Sequence, residues 1–133
     1  MIRFFFPLLF LLLLSSPVWA LTGRVVGVAD GDTITVLTAN KQQIKVRLYG
    51  IDCPEKRQAY GDRARDFTGA AVFGRDVCVE TLGRDRYGRT LGIIFGPDGR
   101  VLNRELLANG LAWVYKLSLI HISEPTRRVV LSY

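Results

Sequence analysis

The chain has almost no soft metal ligands: one histidine, His121, and two cysteines, Cys53 and Cys78, in 133 residues. No Cys-x-x-Cys pair and no Cys/His zinc spacing occurs, which excludes a zinc centre. Long apolar runs are missing too. The longest, residues 4–14, is about 11 residues, against the roughly 20 that a bilayer-spanning helix needs. Nor is there length for a second domain, since 133 residues make one.

What stands at the N-terminus instead is MIRFFFPLLFLLLLSSPVWA, with the lone cation Arg3 ahead of the apolar core. It closes on Val18-Trp19-Ala20, small at the last position and tolerable at the third from it. Residues 1–20 therefore read as a secretory signal peptide cleaved after Ala20, and an uncleaved anchor is the weaker reading. The mature protein is expected to be exported, periplasmic or extracellular, without stable membrane association. A disulfide would persist in such a compartment, but the sequence leaves open whether Cys53 and Cys78 pair or remain two free thiols.

Without Arg3, the leader's only charge, the net charge falls from +6 to +5 on about 113 residues. A basic surface attracts polyanions and speeds their encounter. Cell-wall polymers, anionic lipid and nucleic acid all qualify, so charge alone does not choose among them.

The apolar pattern is mostly that of short strands. Residues 24–28, 33–38 and 45–51 are rich in Val, Ile and Thr, with a turn at Asp30-Gly31 and a second connection at 39–42. Residues 61–73 switch to helical spacing, with Ala64, Phe67 and Ala71 on one face, Ala70 beside them and Gly74 as a stop. Strands follow at 76–82 and 89–95, then a turn at Pro97-Asp98-Gly99. A short helix at 103–109 has Asn103 as candidate N-cap and Gly110 past its end. Five strands with a helix between the third and fourth is the order of an OB-fold β-barrel, so the expected class is α+β, with a second short helix.

The chemistry concentrates in two runs. ADGDT supplies Asp30 and Asp32 at a turn, and VRLYGIDCPE sets Arg47, Asp52 and Glu55 around an apolar segment that stops at Pro54. Carboxylates suit a hard cation, a guanidinium suits phosphate, and a further carboxylate can act on water. This is the mixture of a metal-dependent phosphodiesterase. Arg47 lies between Val46 and Leu48, where an unpaired charge is costly, so it needs an acidic or phosphate partner. Pro54 ends strand pairing and lets Glu55 leave the sheet edge. Asp30 is equally well explained as a turn residue. Trp113 alternates with Leu111 and Tyr115 and is expected in the core.

Through VADGDTITV, VRLYGIDCPE, AYGDRARDF, DRYGRTLGIIF and VLNRELLANGLAWVYK, residues 21–116 resemble the thermonuclease (staphylococcal nuclease-like) family, in the family's order. The resemblance implies an OB-fold nuclease, monomeric, that uses one calcium ion to hydrolyse DNA and RNA. It further implies endonucleolytic cleavage, 3′-phosphate ends and a preference for single strands. Carried over residue by residue, Asp32, Asp52 and the backbone carbonyl of Cys53 hold the metal, and Glu55 is the general base. Arg47 and Arg89 bind the phosphate, whereas Arg86, Tyr87, Tyr115 and Lys116 contact the nucleotide and its strand. Arg84 is only a neighbour of these positions.

The pattern departs at Leu117. Family members continue into a basic, alanine-rich helix, but here SLIHISEPTRRVVLSY follows, with Pro125 inside it. Residues 118–127 also resemble a translated sequencing-adapter string, so 117–133 is expected to be an atypical tail, and the sequence leaves open whether it is genuine. The family's C-terminal helix is then missing, leaving apolar surface near Leu106, Leu111 and Trp113 partly exposed. Two other functions fit less well. A catalytically weak or inactive thermonuclease-like binding module would usually have lost one of Asp32, Asp52, Glu55, Arg47 or Arg89, and all five are present. A plain OB-fold single-strand binder has no use for clustered acids that repel phosphate.

Overall fold

Along the chain come β1 (Ala20–Asp30), β2 (Thr33–Leu37), β3 (Gln43–Leu48), β4 (Ile51–Asp52), α1 (Gly61–Val72), β5 (Asp76–Arg84), β6 (Thr90–Phe95), α2 (Leu102–Ala108) and β7 (Trp113–Val114). The structure, a computed structural model, describes residues 20–115. The expectations for the leader before Ala20, for Lys116 and for the tail lie outside them.

Alternation of side chains builds the barrel. Ile34 and Val36 on β2, Val46 and Leu48 on β3, and Val77 and Val79 on β5 are buried, every second residue of a pleated strand pointing to one side. Burying each such side chain stabilises by roughly 1.5 to 3 kcal/mol. The strands close in the order β1-β2-β3-β6-β5, every pair antiparallel except β3 with β6. β1 pairs with both β2 and β5, and register shifts at Val25/Gly27 and Val28/Asp30 mark the irregularities where it bends between them. On β6, a Cβ at Gly92 would come within 2.5 Å of Val79, so only glycine allows β5 and β6 their approach. With α1 between the third and fourth barrel strands and α2 after the fifth, this is the expected α+β OB-type barrel.

α1 packs a face of Ala64, Thr68 and Val72 inward, with Phe67 and Ala71 partly buried against the core. Ala70, expected beside that face, is exposed. Thr68 takes its place because its hydroxyl finds an acceptor, the Gly31 carbonyl at 2.6 Å, which offsets burying a polar group. The helix ends at Phe73, and Gly74 (φ 73°) turns the chain away.

Four further expectations are corrected. The run 45–51 is not one strand: the chain turns at Tyr49-Gly50, where Gly50 has φ 80°, and β4 pairs with β7 instead of extending β3. Asn103 is not an N-cap. Val101 occupies that position, and the Asn103 side chain is buried, accepting from Ile94 N–H at 3.0 Å and donating to the carbonyls of Tyr49 (3.1 Å) and Gly92 (3.2 Å). Trp113 is 51% exposed rather than in the core, because β7 is only two residues long and pairs with β4 outside the closed barrel. Leu106, expected at a partly exposed patch, is fully buried with Leu102 under α2. The end of α2 is as expected: Gly110 (φ 71°) donates to Leu107 O and Leu111 to Leu106 O, a Schellman arrangement.

Cys53 is buried and Cys78 half-buried, and both are free thiols. Among the described residues no helix is long and apolar enough to cross a membrane.

Candidate active site

The turn between β1 and β2 is pressed onto α1. A Cβ on Gly31 would lie 2.7 Å from the Ala64 Cβ, and Thr68 anchors the Gly31 carbonyl. The next residue, Asp32, is thereby fixed at the rim of the barrel. Its backbone carbonyl accepts from Leu48 N–H at 2.8 Å. One carboxylate oxygen accepts from the Thr33 hydroxyl (3.1 Å), the other from Cys53 N–H (2.9 Å). Asp32 is only 7% exposed, and a buried carboxylate needs this many donors.

Arg47 completes the set. Its Nη1 lies 3.0 Å from Asp32 Oδ2 and donates to the carbonyls of Ile51 (3.0 Å) and Leu48 (3.3 Å). Its Nη2 donates to Asp52 Oδ1. The acidic partner that the sequence demands is thus two partners, one on each side of a single guanidinium. The β4–β7 pair sets Asp52 opposite Trp113, and Tyr115 N–H donates to Gly50 O at 3.1 Å. This brings the Tyr115 ring within 6.0 Å of the Arg47 guanidinium carbon, at the limit of a cation–π contact.

The donor chemistry suits a hard cation. Two carboxylates already converge on one positive charge, and all available ligands near them are oxygens. Burial, reinforced by the Asp32 charge, pushes the Cys53 thiol up to about 12. No group of three or more His, Cys, Asp or Glu side chains gathers as a metal cluster among the described residues. An ion here would rest on Asp32, Asp52 and the Cys53 carbonyl, with water and phosphate oxygens filling the rest, as calcium's flexible shell permits.

Glu55 stands three residues past Asp52 on the exposed connection between β4 and α1. Asp30, on the other side of the turn from Asp32, accepts from Lys56 N–H at 3.3 Å and so ties that connection to β1.

A second cluster forms at the β5–β6 hairpin. Asp85 Oδ1 accepts from the amides of Tyr87 and Arg89, each at 2.9 Å, and Oδ2 accepts from Arg89 Nε at 2.6 Å. Desolvation works against the Asp85 charge, but these bonds from Arg89 and Tyr87 outweigh it and hold the carboxyl below the usual range. Gly88 (φ 82°) makes the bend. The bend stacks the guanidiniums of Arg89 and Arg86 5.6 and 5.9 Å from the ring centroid of Tyr87, which is 75% exposed. β3 and β6 run parallel, with Val46 opposite Thr90 and Arg47 opposite Leu91. The end of β3 thus lies beside the start of β6, and Arg89, just before β6, falls two positions along from Arg47 in that register.

The structure thus brings Asp32, Arg47, Asp52, Cys53 and Tyr115 into one cluster and Arg86, Tyr87 and Arg89 into a second, with Glu55 on an adjoining loop. Asp85 was not singled out by the sequence reading. Its signal is the Asp-x-x-Gly spacing of a side-chain-closed turn.

The family model described as staphylococcal nuclease homologue matches residues 45–129. Over 114 residues the chain is 46% identical to Protein ParB of Escherichia coli, covering 79% of this chain and 64% of that one. To an uncharacterized endonuclease of Escherichia coli O157:H7 it is 44% identical over 116 residues, 86% of this chain and 74% of the other. Micrococcal nuclease of Shigella flexneri is 43% identical over 114 residues, 79% and 65% of the two chains. The chain spans 64% to 74% of the length of these curated relatives.

Proposed function

The chain belongs to the family of staphylococcal nuclease homologues, and on that premise we propose that it is an exported, monomeric, calcium-dependent nuclease. Its substrates are DNA and RNA, single strands preferred, cut endonucleolytically to leave 3′-phosphate ends. The observation that carries this reading is the Arg47 guanidinium held between Asp32 and Asp52. Acids so placed repel a phosphate unless a cation lies among them, and a guanidinium so placed binds phosphate once a cation relieves it of the acids.

In this reading Asp32, Asp52 and the Cys53 carbonyl hold calcium, which supplies positive charge against the attacked phosphate. Arg47 and Arg89 bind the phosphate oxygens and stabilise the charge that grows on them in the transition state. Glu55 accepts the proton of the attacking water as its oxygen bonds to phosphorus, and the bond to the 5′-oxygen breaks on the opposite side. Tyr87 offers its exposed face to a base, and Arg86, Tyr115 and Lys116 hold the strand.

The test is digestion of denatured DNA, duplex DNA and RNA by the chain freed of residues 1–20, with calcium, magnesium or a chelator. Cleavage with calcium and its loss in chelator support the reading. Retained binding without cleavage in calcium points to an inactive binding module instead.

A further inference from the structure

Glu55 sits where little packing holds it, since residues 55–60 are all exposed. A loop with few buried contacts opens readily, yet a general base must stay within hydrogen-bond reach of its water. Asp30 ties the neighbouring Lys56 amide, and one residue, Gln58, holds Glu55 itself. The Gln58 Oε1 accepts from Glu55 N–H at 2.7 Å, and the Gln58 amide donates to the Glu55 carbonyl at 2.8 Å. Both polar groups of the Glu55 backbone are therefore held by the same residue.

The clamp is itself fastened to α1. Gly61 N–H donates to the Gln58 carbonyl at 3.0 Å, and a Cβ on Gly61 would overlap the Glu55 carbonyl, so that carbonyl rests against the first turn of the helix. Tyr60, just before, adopts φ 66°, a conformation that costs a non-glycine residue of order 1 kcal/mol. It turns the chain sharply enough for Gly61 to reach back.

We propose that Gln58 is a positioning residue that holds the Glu55 backbone, and through it the carboxylate, in place for catalysis. This rests on Glu55 acting as the base. A merely turn-closing glutamine would matter to stability alone, whereas a positioning one acts on turnover and only through Glu55.

The test compares Gln58→Met, equal in length but without the oxygen acceptor, and Gln58→Glu, which keeps it, in wild-type and Glu55→Gln backgrounds. Gln58→Met is expected to lower kcat on denatured DNA in calcium by about ten- to a hundredfold with little change in KM. The midpoint of unfolding should fall by no more than about 5 °C, the effect of one exposed hydrogen bond. The Glu55 amide should exchange its hydrogen about tenfold faster or more, and Gln58→Glu should restore that protection. In the Glu55→Gln background, Gln58→Met should add no further loss. Wild-type kcat in Gln58→Met, or an equal loss in both backgrounds, overturns the proposal. If Glu55→Gln alone keeps the wild-type rate, the base reading falls and the catalytic role of Gln58 with it, while amide exchange still reads the clamp separately.

Discussion

Arg47 Nη1 lies 3.0 Å from Asp32 Oδ2, and both side chains are nearly buried, 13% and 9% exposed. With Asp52 on the other side of the guanidinium, the arginine already supplies the positive charge that the two acids need. On the proposed reading, guanidinium and metal ion are alternatives for the same carboxylates.

Removing the guanidinium leaves Asp32 buried without its charge partner, which destabilises on the order of 3 kcal/mol. Arg47→Gln should therefore lower the unfolding midpoint in chelator. On the proposed reading calcium binds the native state alone and stabilises it by mass action, and without a competitor it should raise the midpoint of Arg47→Gln more than that of wild type. Thermal unfolding with and without calcium checks this. Equal calcium shifts for both proteins would mean that Arg47 and the ion do not share a site.

Lysine keeps the charge of either arginine but not the fork of donors. Arg47→Lys and Arg89→Lys should each lower turnover on denatured DNA by more than about tenfold, the loss expected for a transition-state donor. Wild-type rates in both variants would move the phosphate site elsewhere.

Asp85 fixes Arg89, and its carboxyl is held below the usual carboxylate range by the bonds from Arg89 and Tyr87. A lowered folded value means that the stabilisation is present above the ordinary aspartate pKa and is lost as pH falls through the folded value. Asp85→Asn should thus be less stable than wild type at neutral pH, with the gap narrowing as the solution is acidified. Urea unfolding from pH 7 down to pH 3 reads this out. A gap that does not change with pH would contradict it.

The strands β2, β3 and β5 are legible in the sequence because alternate Val, Ile and Leu side chains are buried, a period of two. The break at Gly50 is not, since a continuous apolar run reads the same whether or not a positive φ divides it. Asn103 stands where an N-cap is plausible, and only the tertiary fold shows that strand carbonyls at Tyr49 and Gly92 claim its amide. Charge logic asks for an acidic or phosphate partner for Arg47 without saying which, because Asp32 in the β1–β2 turn and Asp52 on β4 are distant in sequence. Gln58 carries no sequence signal. Its proposed function lies in one side-chain and one main-chain hydrogen bond to the backbone of a residue three positions away.

Burial pushes the Cys53 thiol up to about 12 from an ordinary 9.0. Because the folded value is raised, the neutral thiol favours the native state below the ordinary value, and this is lost as pH rises through the folded one. At pH 8 a thiol reagent should titrate Cys78 in the native protein and spare Cys53, then find both in urea. Native reaction of both thiols, or of neither even after unfolding, would contradict the placement of Cys53 or the presence of two free thiols.

The central claim is that Asp32 and Asp52 hold calcium for phosphodiester cleavage. It is tested most directly by titrating calcium into denatured DNA with wild type and with Asp52→Asn, following cleavage rate. Removing one of two charged ligands should raise the calcium required by about tenfold or more, and wild type should be inactive in excess chelator. Superimposable calcium curves for the two proteins, or undiminished wild-type cleavage in chelator, would contradict the claim.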